Sequence, residues 1–321
     1  MALSKLSGDV QGIILGQLCN PLEPRLAMYC SSASSELRLL LTPAVRQKLR
    51  ADHEAAAALC RKVGMRSCKE MREASMVCWW PLCWCLSAPD LATLGTLGAV
   101  LPALEHLILI DNSGAAGPDG VQRLAEGLNA GALPALTRLD LFGMHVGDAG
   151  ALELAAALGR GAQPRLQILR LINAAIGDAG LVALAPALRR LPALEHLDLS
   201  GNPLGDEGLA ALVAPPPPTA GALPLPTAGL KELRTLILQV TQVSDAGCAA
   251  LAAALDSGAL PALQYLSLEG IPASAAAQEA VDAALASMVE SRLAQCVHPP
   301  PGCLAACSLA FSRLRLWLQR G

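Results

Sequence analysis

Aromatic residues are nearly absent from this chain. Two Phe, two Tyr and four Trp stand among 321 residues, 2% of the total. A core of stacked rings is excluded, and apolar burial falls to Leu, Ala and Val, which suit thin repeated layers. Charge is scarce as well: 16% of residues, with a formal net of -3. Such a balance exerts no long-range pull toward DNA, RNA or an anionic membrane surface. No apolar run reaches the roughly 20 residues of a membrane span. The opening MALSKLSGDVQGIIL carries acid and polar residues where the apolar centre of a secretory signal would stand, so none is expected. The 11 cysteines are odd in number and follow no regular framework. That favours a reduced intracellular setting, cytoplasmic or nuclear. Catalytic patterns are missing too. There is no G-x-S-x-G, H-E-x-x-H or Walker-type loop, and His53, His106, His145, His196 and His298 do not gather into a set. No enzyme activity, metal or cofactor is expected.

What the chain does have is repetition. LPALEHLILIDN begins at Leu101, LPALTRLDLFGM at Leu133, PRLQILRLINA at Pro164, LPALEHLDLSGN at Leu191, LKELRTLILQVT at Leu230 and LPALQYLSLEGI at Leu260. Most neighbours lie roughly 28 to 32 residues apart, a period that marks a stacked array. The longer interval carries the Pro-rich stretch Ala214 to Pro226, which reads as a surface loop. Each unit opens with L-x-x-L-x-L, whose final alternation is the period of a short strand. Seven residues after the last strand leucine comes an Asp: Asp148, Asp178, Asp206 and Asp245 follow Leu141, Leu171, Leu199 and Leu238. Each stands in Gly-Asp-x-Gly or Ser-Asp-x-Gly. At that place Asp reads as the N-cap of its own helix. Apolar residues then recur at helical spacing, as in Leu181, Leu184, Ala185 and Leu188.

Leu86 to Val289 therefore resembles the leucine-rich repeat family, in its ribonuclease-inhibitor-like class. Asn112 and Asn202 stand at the family's Asn position; Met144, Ala174, Thr241 and Ile271 replace it elsewhere, so looser turns are expected there. The resemblance implies an α/β fold, a right-handed solenoid or horseshoe with parallel strands on the concave face and helices on the convex face. Helices over 1–85 would cap it, and a tail, 290–321, would follow the repeats of 86–289. The tail holds Cys296, His298, Cys303 and Cys307 and an amphipathic stretch from Leu304 to Leu318.

Aligning the units gives three concave columns. The first is His106, Arg138, Ile168, His196, Thr235 and Tyr265; the second is Ile108, Asp140, Arg170, Asp198, Ile237 and Ser267; the third is Ile110, Phe142, Ile172, Ser200, Gln239 and Glu269. Apolar anchors among mixed charges are typical of protein interfaces. Candidate partner contacts are Ile110, Arg138, Asp140, Phe142, Arg170, Ile172, His196, Asp198, Gln239 and Tyr265. The function this implies is a non-catalytic module that binds a protein partner on the concave face.

Two alternatives come from further resemblances. Leu6, Asp9-Val10, Ile14, Leu18, Leu26 and Tyr29-Cys30 resemble an F-box, the helical module that docks an adaptor of cullin-type ubiquitin ligases. The family's Pro is Ser7 here, and its Trp after the Cys is missing. The resemblance implies a ligase substrate receptor whose Val10, Ile14 and Leu18 meet the adaptor; otherwise these helices only cap the array. Long repeats of this class also occur in the activator of the Ran GTPase, which makes a GTPase-activating role the third reading, with Arg123, Arg138, Arg165 and Arg170 in the early repeats. CWWPLCWC, from Cys78 to Cys85, reads as a buried join between the N-terminal helices and the first repeat.

Overall fold

The computed structural model describes residues 19–79, 87–111, 115–129, 133–160, 163–213 and 230–296. Seven strands form one parallel sheet in chain order: β1 (Met76–Trp79), β2 (His106–Ile110), β3 (Arg138–Phe142), β4 (Ile168–Ile172), β5 (His196–Asp198), β6 (Thr235–Ile237) and β7 (Tyr265–Ser267). A helix returns the chain after each strand. These are α5 (Ala88–Leu97), α6 (Gly117–Asn129), α7 (Gly147–Gly159), α8 (Asp178–Leu188), α9 (Asp206–Val213), α10 (Asp245–Asp256) and α11 (Ala275–Cys296). The fold is the α/β leucine-rich repeat solenoid.

The leucines make the core. In each unit the inward strand positions and the apolar helix stripe are both buried, as are Leu194, Leu197 and Leu199 with Leu209 and Leu212 of α9. Neighbouring units add their own layers, so one apolar core runs the length of the array. Repeats of this kind are stabilised by their neighbours rather than singly.

The Asp of Gly-Asp-x-Gly does not cap its own helix, as the sequence pattern suggests; it caps the next one. Asp148 Oδ1 accepts from the backbone N–H of Gly177 at 2.7 Å and of Gly180 at 3.0 Å. Asp178 Oδ1 accepts from Gly205 at 2.7 Å and Gly208 at 2.9 Å. Asp206 takes the N–H and hydroxyl of Ser244 at 2.8 and 2.6 Å, and Asp245 those of Ser274 at 2.6 and 3.0 Å. Stacking sets each helix start beside the following one, where orphan N–H groups need an acceptor. Burial works to raise the Asp206 carboxyl, but hydrogen bonds from Ser244 and Gly247 outweigh it and hold the group below its usual value.

The second glycine of the motif follows from the same contact. A Cβ on Gly180 would lie 2.6 Å from Asp148 Oδ1, and one on Gly208 2.8 Å from Asp178 Oδ1. Only a residue without a side chain lets the carboxylate reach its N–H. Asp178→Ala should therefore lower stability by about 1–2 kcal/mol, by leaving two N–H groups at the head of α9 unmet. A urea melt of the variant measures this; an unchanged midpoint would show that the ladder contributes nothing.

Ahead of the array lie α1 (Arg25–Ala33), α2 (Ser35–Leu40), α3 (Pro43–Lys62) and α4 (Cys68–Glu73). Thr42 accepts from Val45 N–H with Pro43 following, the start expected from Thr-Pro. The sheet begins earlier than the repeat count implies. β1 lies inside the segment read as helical and pairs parallel with β2, Cys78 beside Ile108. Its short run Met76–Trp79 lacks the L-x-x-L-x-L spacing that marks the later strands. Lys62 joins the two parts: its Nζ lies 2.6 and 2.8 Å from the carboxylate of Asp90, which also receives the N–H and hydroxyl of Ser87 at the head of α5. The last helix runs on to Cys296, past the Val289 at which the repeats were expected to end.

Candidate interaction face

Strand pairing sets the three expected columns side by side. His106, Arg138, Ile168, His196, Thr235 and Tyr265 are register partners across six strands, as are Ile108, Asp140, Arg170, Asp198, Ile237 and Ser267. Ile110, Phe142 and Ile172 pair in the third column. All three are half-buried on the sheet surface, so they form one apolar row. Gln239 is half-buried further along and donates to Ser267 Oγ at 2.7 Å; Tyr265 is exposed on β7.

The charges are arranged less evenly than the columns imply. Asp140 and Asp198 were expected on the open surface, yet each is only 7% exposed. Their neighbours cover them. Arg138 closes on Asp140 with Nε 3.1 and 3.0 Å from the two carboxylate oxygens and Nη2 2.6 Å from Oδ2. Asp198 Oδ1 accepts the N–H of Ser200 at 3.0 Å and its hydroxyl at 2.5 Å. The hydrogen bond to Asp140 raises the Arg138 pKa further, so this guanidinium stays charged.

Arg170 is held more loosely. Its closest acid is Asp140 Oδ2, 3.8 Å from Nη1, and its Nε is buried with no hydrogen-bond partner among the described residues. His196, on the neighbouring strand, also buries an unpartnered Nε2. Burial, and after it the Arg170 charge, pushes the His196 imidazole below its ordinary pKa, while Asp198 and Asp140 pull weakly the other way. Sequence spacing locates these residues but does not show which cation is already spent. That depends on rotamers.

Val10, Ile14 and Leu18 lie outside the described residues, as do most of CWWPLCWC, the segment 214–229 and the chain after Cys296. Among the described residues no group of three or more His, Cys, Asp or Glu side chains could hold a metal ion, and no helix is long and apolar enough to cross a membrane. Cys19, Cys30, Cys60, Cys68 and Cys248 are free thiols.

The fold is an α/β solenoid of strand–helix repeats with one open sheet face, and one of its units matches a known family. Residues 191–213 match the family model described as Leucine Rich repeat. That segment is the unit of β5 and α9. Distantly similar solved structures include internalin C2 of Listeria monocytogenes, 18% identical, with 68% of this chain and 84% of that one covered at a TM-score of 0.37. They also include a structure of the Rad7 and Elc1 complex in yeast, 14% identical, with 70% and 83% covered at a TM-score of 0.25. No curated protein sequence matches the chain.

Proposed function

We propose that the chain is a non-catalytic interaction module of the ribonuclease-inhibitor-like class, binding a protein partner on the concave sheet face. The observation that carries this is the row Ile110, Phe142 and Ile172, half-buried on three adjacent strands and flanked by the Arg138–Asp140 pair and Arg170. Apolar anchors ringed by polar groups are where binding energy concentrates in protein interfaces. Arg138, Asp140, Arg170, Ile172, His196 and Asp198 form the centre of the contact; Gln239 and Tyr265 lie toward its far end. The setting proposed is intracellular, in cytoplasm or nucleus.

Phe142→Ala with Ile172→Ala tests this. The two truncations should weaken capture of the partner by about 2–4 kcal/mol, a thirtyfold to several-hundredfold loss of affinity. Both side chains are half-buried at the surface, so the melting curve should move little. Undiminished capture by a folded double variant would contradict the proposal.

A second reading is favoured by the N-terminal helices. Leu26, Met28 and Tyr29 on α1 and Leu39 on α2 are exposed large apolar residues, and Leu26 and Tyr29 are two of the F-box-like positions. This supports a substrate receptor of a cullin-type ligase, with the adaptor meeting this end and Val10, Ile14 and Leu18. Ile14→Asp should then abolish adaptor capture while leaving the concave-face partner bound; unchanged adaptor capture would remove the reading.

A further inference from the structure

We infer that the concave face takes a protein segment carrying an acidic side chain between apolar ones, with its carboxylate seated on Arg170. This rests on the concave-face binding proposed above and names the chemistry of what binds. Four charged side chains stand close together on β3, β4 and β5, and three of them are already engaged. Arg138 is bidentate on Asp140, and Asp198 is held by Ser200. Arg170 alone makes no hydrogen bond among the described residues; its nearest acid, at 3.8 Å, is the oxygen that Arg138 already occupies. A guanidinium is a planar fork of five N–H donors, shaped to receive a carboxylate through two parallel bonds.

The vertical order of the charges points the same way. The Asp140 side chain is 10% exposed, against 27% for Arg138 and 32% for Arg170. The acid lies deeper and the two arginine side chains are the more exposed. An approaching chain therefore meets positive charge first. Along β4 the neighbours of Arg170 on this face are apolar: Ile168 and Ile172 stand on either side of it, and Phe142 and Ile110 continue the row from Ile172. Such a surround excludes water when covered, which strengthens a charge-assisted hydrogen bond. A basic occupant would be repelled, and a neutral apolar one would bury the fork unpaired. A nucleic-acid backbone needs a run of cations, whereas Asp140 and Asp198 flank Arg170 in its own column.

The test screens the full chain against a displayed library of short random peptides. Peptides whose binding is lost with Phe142→Ala are concave-face binders. They are expected to carry Asp or Glu next to apolar residues. Changing that acid to Asn or Gln should weaken binding about tenfold or more, and Arg170→Met should do the same, with no further loss when both changes are combined. If Arg170→Met fails to fold, Arg170→Lys keeps the charge, loses the fork, and should still weaken binding. Phe142-dependent peptides that lack an acid, or that bind the Arg170 variants as tightly as the native chain, would overturn the acidic-segment inference and leave concave-face binding standing. Absence of any Phe142-dependent peptide would overturn both.

Discussion

Leu199→Asp is expected to abolish the cooperative folding of the central repeats. Leu199 is fully buried, the last leucine of the L-x-x-L-x-L motif of its unit, between the β5 layer and the turn into α9. Removing a buried leucine costs about 2–5 kcal/mol through lost burial and the cavity left behind. The carboxylate that replaces it enters a hydrophobic cluster and must be buried unpaired or drag the chain open, which costs several kcal/mol more. The combined loss approaches the 5–15 kcal/mol that a typical domain has in total. Because repeats are held by their neighbours, the damage should spread from residues 163–213 to both sides. Circular dichroism would show a broadened, lowered melt, and hydrogen exchange would show protection lost first in that segment. A soluble variant with a sharp transition near that of the native chain would mean that the strand register is wrong.

Asn202→Leu is the second large effect. The Asn202 side chain is buried and satisfies five backbone contacts at once. Its Oδ1 accepts from Ala174 N–H at 3.1 Å and Ile176 N–H at 3.0 Å. Its Nδ2 donates to the carbonyls of Leu171, Leu199 and Ser200 at 2.6, 2.8 and 3.3 Å. These bonds tie the turn after β5 to the turn after β4. Leucine has similar volume, so the variant deletes hydrogen bonds without opening a cavity. Buried N–H and C=O groups of two turns are then unpaired, at about 1–3 kcal/mol each where water cannot enter, for an expected loss of about 3–5 kcal/mol. The matching position in the next unit is Thr241, whose hydroxyl makes a single bond to Leu238 O at 2.9 Å. Thr241→Ala should cost only about 1 kcal/mol. Paired urea melts settle the contrast. Equal losses would show that Asn202 contributes no more than an ordinary hydrogen bond.

These two positions also show what could be read from the residues. The leucine spacing announces which side chains go inward, because L-x-x-L-x-L puts alternate strand residues, and one residue of the approach, on the same side. Register followed from the same alignment: the first two columns pair throughout, and the third pairs from Ile110 through Phe142 to Ile172. Gly-Asp-x-Gly was legible as a structural motif and illegible in its target. A one-dimensional pattern shows an Asp at the start of a helix, but only stacking reveals that the nearest orphan N–H groups belong to the next repeat. β1 was missed for a related reason. Met76–Trp79 has no flanking leucine frame, and its identity as a strand comes from pairing with β2. In the candidate site, spacing found Arg138, Asp140, Arg170 and Asp198. The division between spent and spare charge came from side-chain geometry: Arg138 reaches forward along its own strand to Asp140, and Ser200 reaches back to Asp198.

The central claim is that the concave face, rather than the convex helices, is where a partner binds. Hydroxyl-radical footprinting of the full chain, free and with its captured partner, tests this at the level of single side chains. Phe142, Ile172 and Tyr265 report on the sheet face; Leu152 on α7 and Val182 on α8, 57% and 40% exposed, report on the helical face. The expected result is reduced labelling of Phe142 and Ile172 in the complex, with Leu152 and Val182 labelled as in the free chain. Protection of Leu152 and Val182 with Phe142 and Ile172 unchanged would place the partner on the helices and contradict the claim.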